Sequence, residues 1–93
     1  MTDAPPPRLM TIRNKKGLHA RASAKLVQLA ASFSSEITVS REGVSVVGTS
    51  IMGLLMLAAA PGCVIEVAAK GADAIAALDA IEALVANRFD ESE

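Results

Sequence analysis

Polar and apolar positions along this chain switch repeatedly between a period of two and a period near 3.6, and each switch predicts a new element. Residues 8–13 alternate, with Met10 and Ile12 on one face, and predict a half-buried strand. Ala22, Leu26, Leu29, Ala30 and Phe33 then share one helical stripe, which predicts a helix over 20–32 that Ser34 and Ser35 break. Alternation returns over 36–41, with Ile37 and Val39 facing one way and Thr38 and Ser40 the other. Glu42-Gly43 reads as a two-residue hairpin turn, the glycine supplying a positive φ, and 44–47 as the returning strand. Gly48-Thr49-Ser50 predicts a loop ending in a helix N-cap, because a serine hydroxyl accepts from the free amides of the next turn. A short apolar helix over 51–57 follows, then a connection ending in Pro61-Gly62. Residues 64–70 predict a fourth strand, with Ile65, Val67 and Ala69 on one face. Beyond Gly71, a last helix over 72–88 buries Ala74, Ala77, Leu78, Ile81, Leu84 and Val85. Asp73 near its start and Arg88 near its end suit the helix dipole.

Four amphipathic strands and two long amphipathic helices imply an α+β domain of two layers. One sheet face packs on the helices, the other is expected to be polar, and the hairpin makes part of the sheet antiparallel. Residues 1–7, with Pro5-Pro6-Pro7, read as a flexible tail, 8–89 as one domain and 90–93 as an acidic tail. A chain of 93 residues supports one core, which excludes a cofactor domain joined to a separate substrate domain. The 18 alanines and only two phenylalanines make that core small-residued, so its elements must approach closely.

Composition narrows the function. Nine Lys and Arg against ten Asp and Glu argue against a nucleic-acid binder, which carries a basic excess, and no Trp or Tyr is present to stack on bases. Cys63 is the only cysteine, so it forms no internal disulfide and no cysteine zinc site, and a reduced compartment fits. It reads as a small apolar packing residue without chemistry. The N-terminus has no basic start and no apolar stretch, so no signal peptide is read. No charge occurs over 44–65, long enough to span a bilayer. Gly48, Gly53, Pro61 and Gly62 place turns inside that stretch, however, and the flanking segments need it as core, so no membrane insertion is expected. With a single histidine and no carboxylate at ligand spacing, neither a metal nor a cofactor is expected.

His19 is the residue most suited to chemistry. It stands where a glycine-containing loop enters a helix, in Gly17-Leu18-His19-Ala20-Arg21. The first amides of a helix lack internal acceptors and the dipole end is positive, so the site favours an anion and pushes the ring toward its neutral form. A neutral imidazole carries a lone pair and is a nucleophile. Arg21 offers bidentate bonds to a phosphoryl group, and Lys15 and Lys16 add positive potential. Position alone favours an ordinary surface histidine at a helix start.

Ser50 heads the apolar run Ile51-Met52-Gly53-Leu54-Leu55-Met56-Leu57. So short a helix cannot bury every side, and exposed Ile51, Met52, Leu55 or Met56 would make an adaptable docking patch. Ser50 reads first as an N-cap. A phosphate there would sit at a helix N-terminus and leave the helix folded, while setting a dianion beside the patch.

Taken together, the two motifs resemble the HPr family, the histidine-containing phosphocarriers of the bacterial phosphoenolpyruvate-dependent phosphotransferase system. The resemblance runs from about Leu9 to Phe89 and rests on Gly17-Leu18-His19-Ala20-Arg21 and Ser50-Ile51-Met52-Gly53-Leu54-Leu55, with Ser35-Glu36-Ile37-Thr38-Val39 between them. It implies an open-faced β-sandwich, a four-stranded antiparallel sheet with three helices on one face. It implies that His19 takes a phosphoryl group on Nδ1 from phospho-Enzyme I and passes it to an Enzyme IIA domain, with Arg21 as the matching arginine. It implies Ser50 as a target of HPr kinase/phosphorylase and Ile51, Met52 and Leu55 as docking residues. Such a protein is a cytoplasmic carrier, expected as a monomer, and not a stand-alone catalyst. The chain departs from the family pattern at Ala22, where proline is common, and at Lys16, where asparagine often helps to order the histidine. The sugar and nitrogen-related branches both remain open. The rival reading is a non-catalytic regulatory module switched by Ser50 phosphorylation, with His19 incidental.

Overall fold

A computed structural model describes residues 4–92. Residues 1–3 of the expected N-terminal tail and Glu93 of the acidic one lie outside it. The elements are β1 (Arg8–Thr11), α1 (Ala20–Ala31), β2 (Glu36–Arg41), β3 (Val44–Val47), α2 (Ile51–Met56), β4 (Val64–Lys70) and α3 (Ala74–Ala86). The strands form one antiparallel sheet in the order β1-β4-β2-β3. Three helices pack on one face of it, so the α+β open-faced sandwich is the observed architecture.

The alternating strands explain the layering. Met10, Ile37, Val39, Ile65, Val67 and Ala69 all point to the helix side and are buried. They meet Ala22, Leu26 and Ala30 of α1, Leu54 of α2, and Ala77, Leu78, Ile81 and Val85 of α3. Alanine at the centres of α1 and α3 keeps the helix backbones close to the sheet. Leu29, Phe33 and Leu84 lie only half buried at the margin of this core. The β2–β3 turn has φ values of 50° at Glu42 and 82° at Gly43, so both turn residues are left-handed, as a tight hairpin between right-twisted strands requires.

The outer sheet face is less polar than alternation predicts. Leu9, Val47 and Val64 are exposed there beside Thr11, Thr38, Ser40 and Glu66. Valine fits the pleated backbone whichever way it points, so strand preference decides these positions more than solvent does. The uncharged stretch 44–65 divides into β3, α2, a connection and the start of β4. Among the described residues no helix is long and apolar enough to cross a membrane.

The last helix is shorter at both ends than the sequence suggests. Asp73 precedes it, and its carboxylate accepts from the Ser34 and Ser35 amides at 2.8 and 2.9 Å and from both serine hydroxyls. Asp73 therefore ties the end of α1 to the start of α3 and makes no side-chain cap for its own helix. At the far end the chain leaves helical geometry after Ala86. Arg88, Phe89 and Asp90 take φ values of 56°, 53° and 61°, a left-handed turn without glycine. Such residues cost about 1–2 kcal/mol each. The fully buried Phe89 ring, worth about 2–3 kcal/mol, offsets part of that and fixes the turn under α1.

Candidate functional site

The loop carrying His19 is clamped from below. Beyond β1, the Ile12 amide donates to the Cys63 carbonyl and the Gly62 amide to the Ile12 carbonyl, both at 2.8 Å. Leu18 then donates to the Ala59 carbonyl at 2.8 Å. Gly17, at φ +65°, lies against Ala59 and Ala60 where a β-carbon has no room. Ser23 closes the other end, its amide donating to the His19 carbonyl and its hydroxyl to that of Leu18. Ser23 is fully buried for that reason, although its polarity kept it out of the expected core.

His19 occupies the N-cap of α1 in extended geometry and gives the helix no side-chain cap. The amides of Ala20, Arg21 and Ala22 consequently open the helix without intrahelical acceptors. Arg21 is exposed and lines a cleft with Lys15, Lys16, Lys25, Asp90, Glu91 and Ser92. No hydrogen bond joins Arg21 to His19 among the described residues. Four basic and two acidic side chains thus share this cleft, so the positive helix end is not the whole of its electrostatics.

Two residues of this site escaped the sequence reading. Glu91, expected in a solvated acidic tail, turns inward, and its Oε2 lies 2.5 Å from His19 Nε2. Its Oε1 accepts from Asn14 Nδ2 at 2.9 Å, and the same Nδ2 donates to the Gly17 carbonyl at 2.7 Å. Asn14 is fully buried, and two acceptors facing its nitrogen settle the orientation of its amide. An asparagine thus orders the loop despite Lys16, from a position two residues earlier. Burial works to raise the Glu91 carboxyl, but the hydrogen bonds from Asn14 and His19 and the nearby charge of Arg21 outweigh it and hold the group below its ordinary range. The negative charge against the ring was missing from the argument based on the helix terminus alone. The only sequence signal was a carboxylate run after a buried phenylalanine, which composition reads as a solvated end.

Ser50 stands apart from this loop. Its hydroxyl accepts from the Gly53 amide at 3.0 Å, the expected N-cap bond. Gly53 is required there, since a β-carbon would meet Val46 Cβ at 2.9 Å and Ser50 Oγ at 3.1 Å. Leu54 and Leu57 are buried, whereas Ile51, Met52, Leu55 and Met56 are exposed, Met52 by 70%. The helix therefore divides its apolar residues between core and solvent, as its length demanded. Cys63 is half buried against the core.

The family model described as "PTS HPr component phosphorylation site" matches residues 8–87. The Phosphocarrier protein HPr of Cupriavidus necator is 54% identical over 83 residues, covering 89% of this chain and 93% of its own. The Phosphocarrier protein NPr of Shewanella violacea is 51% identical over 85 residues, covering 91% and 93%. Among solved structures, an HPr from Thermoanaerobacter tengcongensis superposes with a TM-score of 0.91 at 37% identity, over 96% of this chain and all of the other. One from Bacillus anthracis gives 0.83 at 36% identity, over 86% and 95%. Matched over nearly its whole length in sequence and in fold, the chain belongs to the HPr family, the phosphocarriers of the phosphotransferase system.

Proposed function

We propose that His19 is the phosphoryl acceptor and donor of this carrier, charged by phospho-Enzyme I and discharged to Enzyme IIA domains. The Nδ1 lone pair forms a bond to phosphorus while the bond from phosphorus to the donor atom breaks and the donor leaves with that electron pair. Arg21 and the first amides of α1 neutralise the phosphoryl oxygens. Ile51, Met52 and Leu55 dock the partners, which complete the transfer site. Ser50 is a regulatory position, a substrate for an HPr kinase/phosphorylase, and its phosphate would place a dianion against the docking patch. The carrier works in the cytoplasm as a monomer, because its patch must stay open to successive partners.

One observation supports this reading: the sole histidine stands at the N-cap of α1, before amides that have no intrahelical acceptors, and Arg21, Lys15, Lys16 and Lys25 line a cleft at that end together with Asp90, Glu91 and Ser92. Its test is intact-mass spectrometry at neutral pH with phosphoenolpyruvate and catalytic Enzyme I, beside a His19→Ala control. Gain of one acid-labile phosphoryl group, absent from the control, is the expected result. No gain, combined with loss of partner binding in Ser50→Asp, would leave the regulatory reading instead.

A further inference from the structure

We propose that Glu91 is a positioning residue for His19, holding the Nε2 proton so that Nδ1 presents its lone pair and the ring's positive charge is balanced when Nδ1 bonds to phosphorus. The proposal rests on His19 being the acceptor at Nδ1.

The geometry is built rather than incidental. Glu91 Oε2 meets Nε2 at 2.5 Å, and its other oxygen is held by the buried Asn14. The Glu91 side chain is only 11% exposed, in a segment that composition would leave in solvent. The chain reaches it through three consecutive left-handed residues, anchored by buried Phe89 and by Lys25 Nζ donating to the Phe89 carbonyl at 2.8 Å. Strained backbone of this kind persists only where its surroundings enforce it. Its outcome here is one carboxylate aimed at one ring nitrogen.

The chemistry follows from which nitrogen is held. A carboxylate accepts hydrogen bonds only, so Nε2 must carry the proton. In the neutral ring Nδ1, which has no hydrogen-bond partner among the described residues, then holds the free pair. When that pair bonds to phosphorus and Nε2 keeps its proton, the ring becomes cationic. Arg21, Lys15, Lys16 and Lys25 around the cleft oppose that charge, and Asp90 and Glu91 are the acidic side chains there. Of these two, Glu91 touches the ring. The relationship parallels a carboxylate that orients a catalytic imidazole and balances its charge without taking its proton. No additional reactant is needed, since the proton stays on Nε2 throughout.

The test compares wild type, Glu91→Ala, Glu91→Gln and Asn14→Ala in the full chain. Ring nitrogen NMR at mildly alkaline pH reads the tautomer, and phosphoryl uptake from Enzyme I reads the rate. Wild type should show the proton on Nε2 alone, and Glu91→Ala a mixture of both tautomers with uptake slowed about tenfold. Glu91→Gln can still accept from Nε2 and should keep the tautomer while losing rate, which separates charge from orientation. Asn14→Ala should follow Glu91→Ala, with circular dichroism checking the fold. An unchanged tautomer and unchanged rate in Glu91→Ala would overturn the proposal. Faster uptake in that variant would overturn it too, by making the segment a cover over the site. If wild type takes no phosphoryl group, the carrier reading fails separately, and the NMR arm still decides whether Glu91 fixes the ring.

Discussion

Gly17 lies so close beneath Ala59 that a β-carbon on it would stand 2.5 Å from the Ala59 carbonyl oxygen. The obstacle is backbone, and the same carbonyl accepts from Leu18. Two residues before His19, the loop therefore has one seat. Gly17→Ala should cost about 3 kcal/mol, from a positive φ and a clash that cannot rotate away. Urea unfolding should register that loss, and phosphoryl uptake should fall as the displaced loop misplaces His19.

Ser50 allows its structural and regulatory roles to be separated. Ser50→Ala removes the bond to the Gly53 amide and should cost about 1 kcal/mol. Ser50→Asp keeps an N-cap acceptor and adds charge at a favourable helix end, so stability should hold. If the serine switches docking, Asp weakens binding to Enzyme I and Ala does not. Thermal unfolding beside a binding titration reads both quantities. Weakened binding in Ala alone would make Ser50 structural only.

Met52 is 70% exposed on α2 and touches little of the core. Met52→Glu should therefore change stability by less than about 0.5 kcal/mol. At a docking surface the same charge would be buried unpaired against the partner, so transfer from Enzyme I should slow by about tenfold or more. Steady-state kinetics against Enzyme I concentration should place the loss in KM. Unaltered kinetics would remove Met52 from the patch.

Acid should act through Asp73. The Ser35 hydroxyl and the Ser34 amide lead the bonds that hold its carboxyl at about 2, down from the ordinary 3.8. A carboxyl lowered by folding stabilises the fold above its unfolded value and loses that contribution as pH falls through its folded one. The Asp73 contribution is thus complete above about pH 4 and declines toward about pH 2. Glu91 is lowered as well and adds in the same direction. Asp73→Asn should flatten that limb of the stability–pH curve in urea titrations at successive pH values. An identical limb in the variant would assign the acid loss to other groups.

How much of this was legible depended on distance along the chain. The spans of β2, β3 and β4 could be read because Ser34-Ser35, Glu42-Gly43 and Gly71 punctuate alternating runs, and alternation is a local property of a pleated backbone. His19 and Ser50 could be picked out because an N-cap is recognised from the few residues that follow it. The division of α2 between core and solvent followed from its length alone.

Tertiary structure decided what two distant segments do to each other. Asp73 looked like a dipole partner of its own helix, and the fold gave its carboxylate to Ser34 and Ser35, 39 and 38 residues away. The strand order β1-β4-β2-β3 and the seat of Gly17 under Ala59 depend on the same kind of closure. So does the principal surprise, Glu91 reaching His19 across 72 residues and Asn14 across 77. Nothing near Glu91 distinguishes it from a solvated acidic end. Its role exists only once Phe89 is buried, because that burial holds the unfavourable left-handed turn and brings the carboxylate to the ring. Periodicity and capping act within a few residues and are written in the sequence. A charge takes its function from whatever the packed core brings beside it.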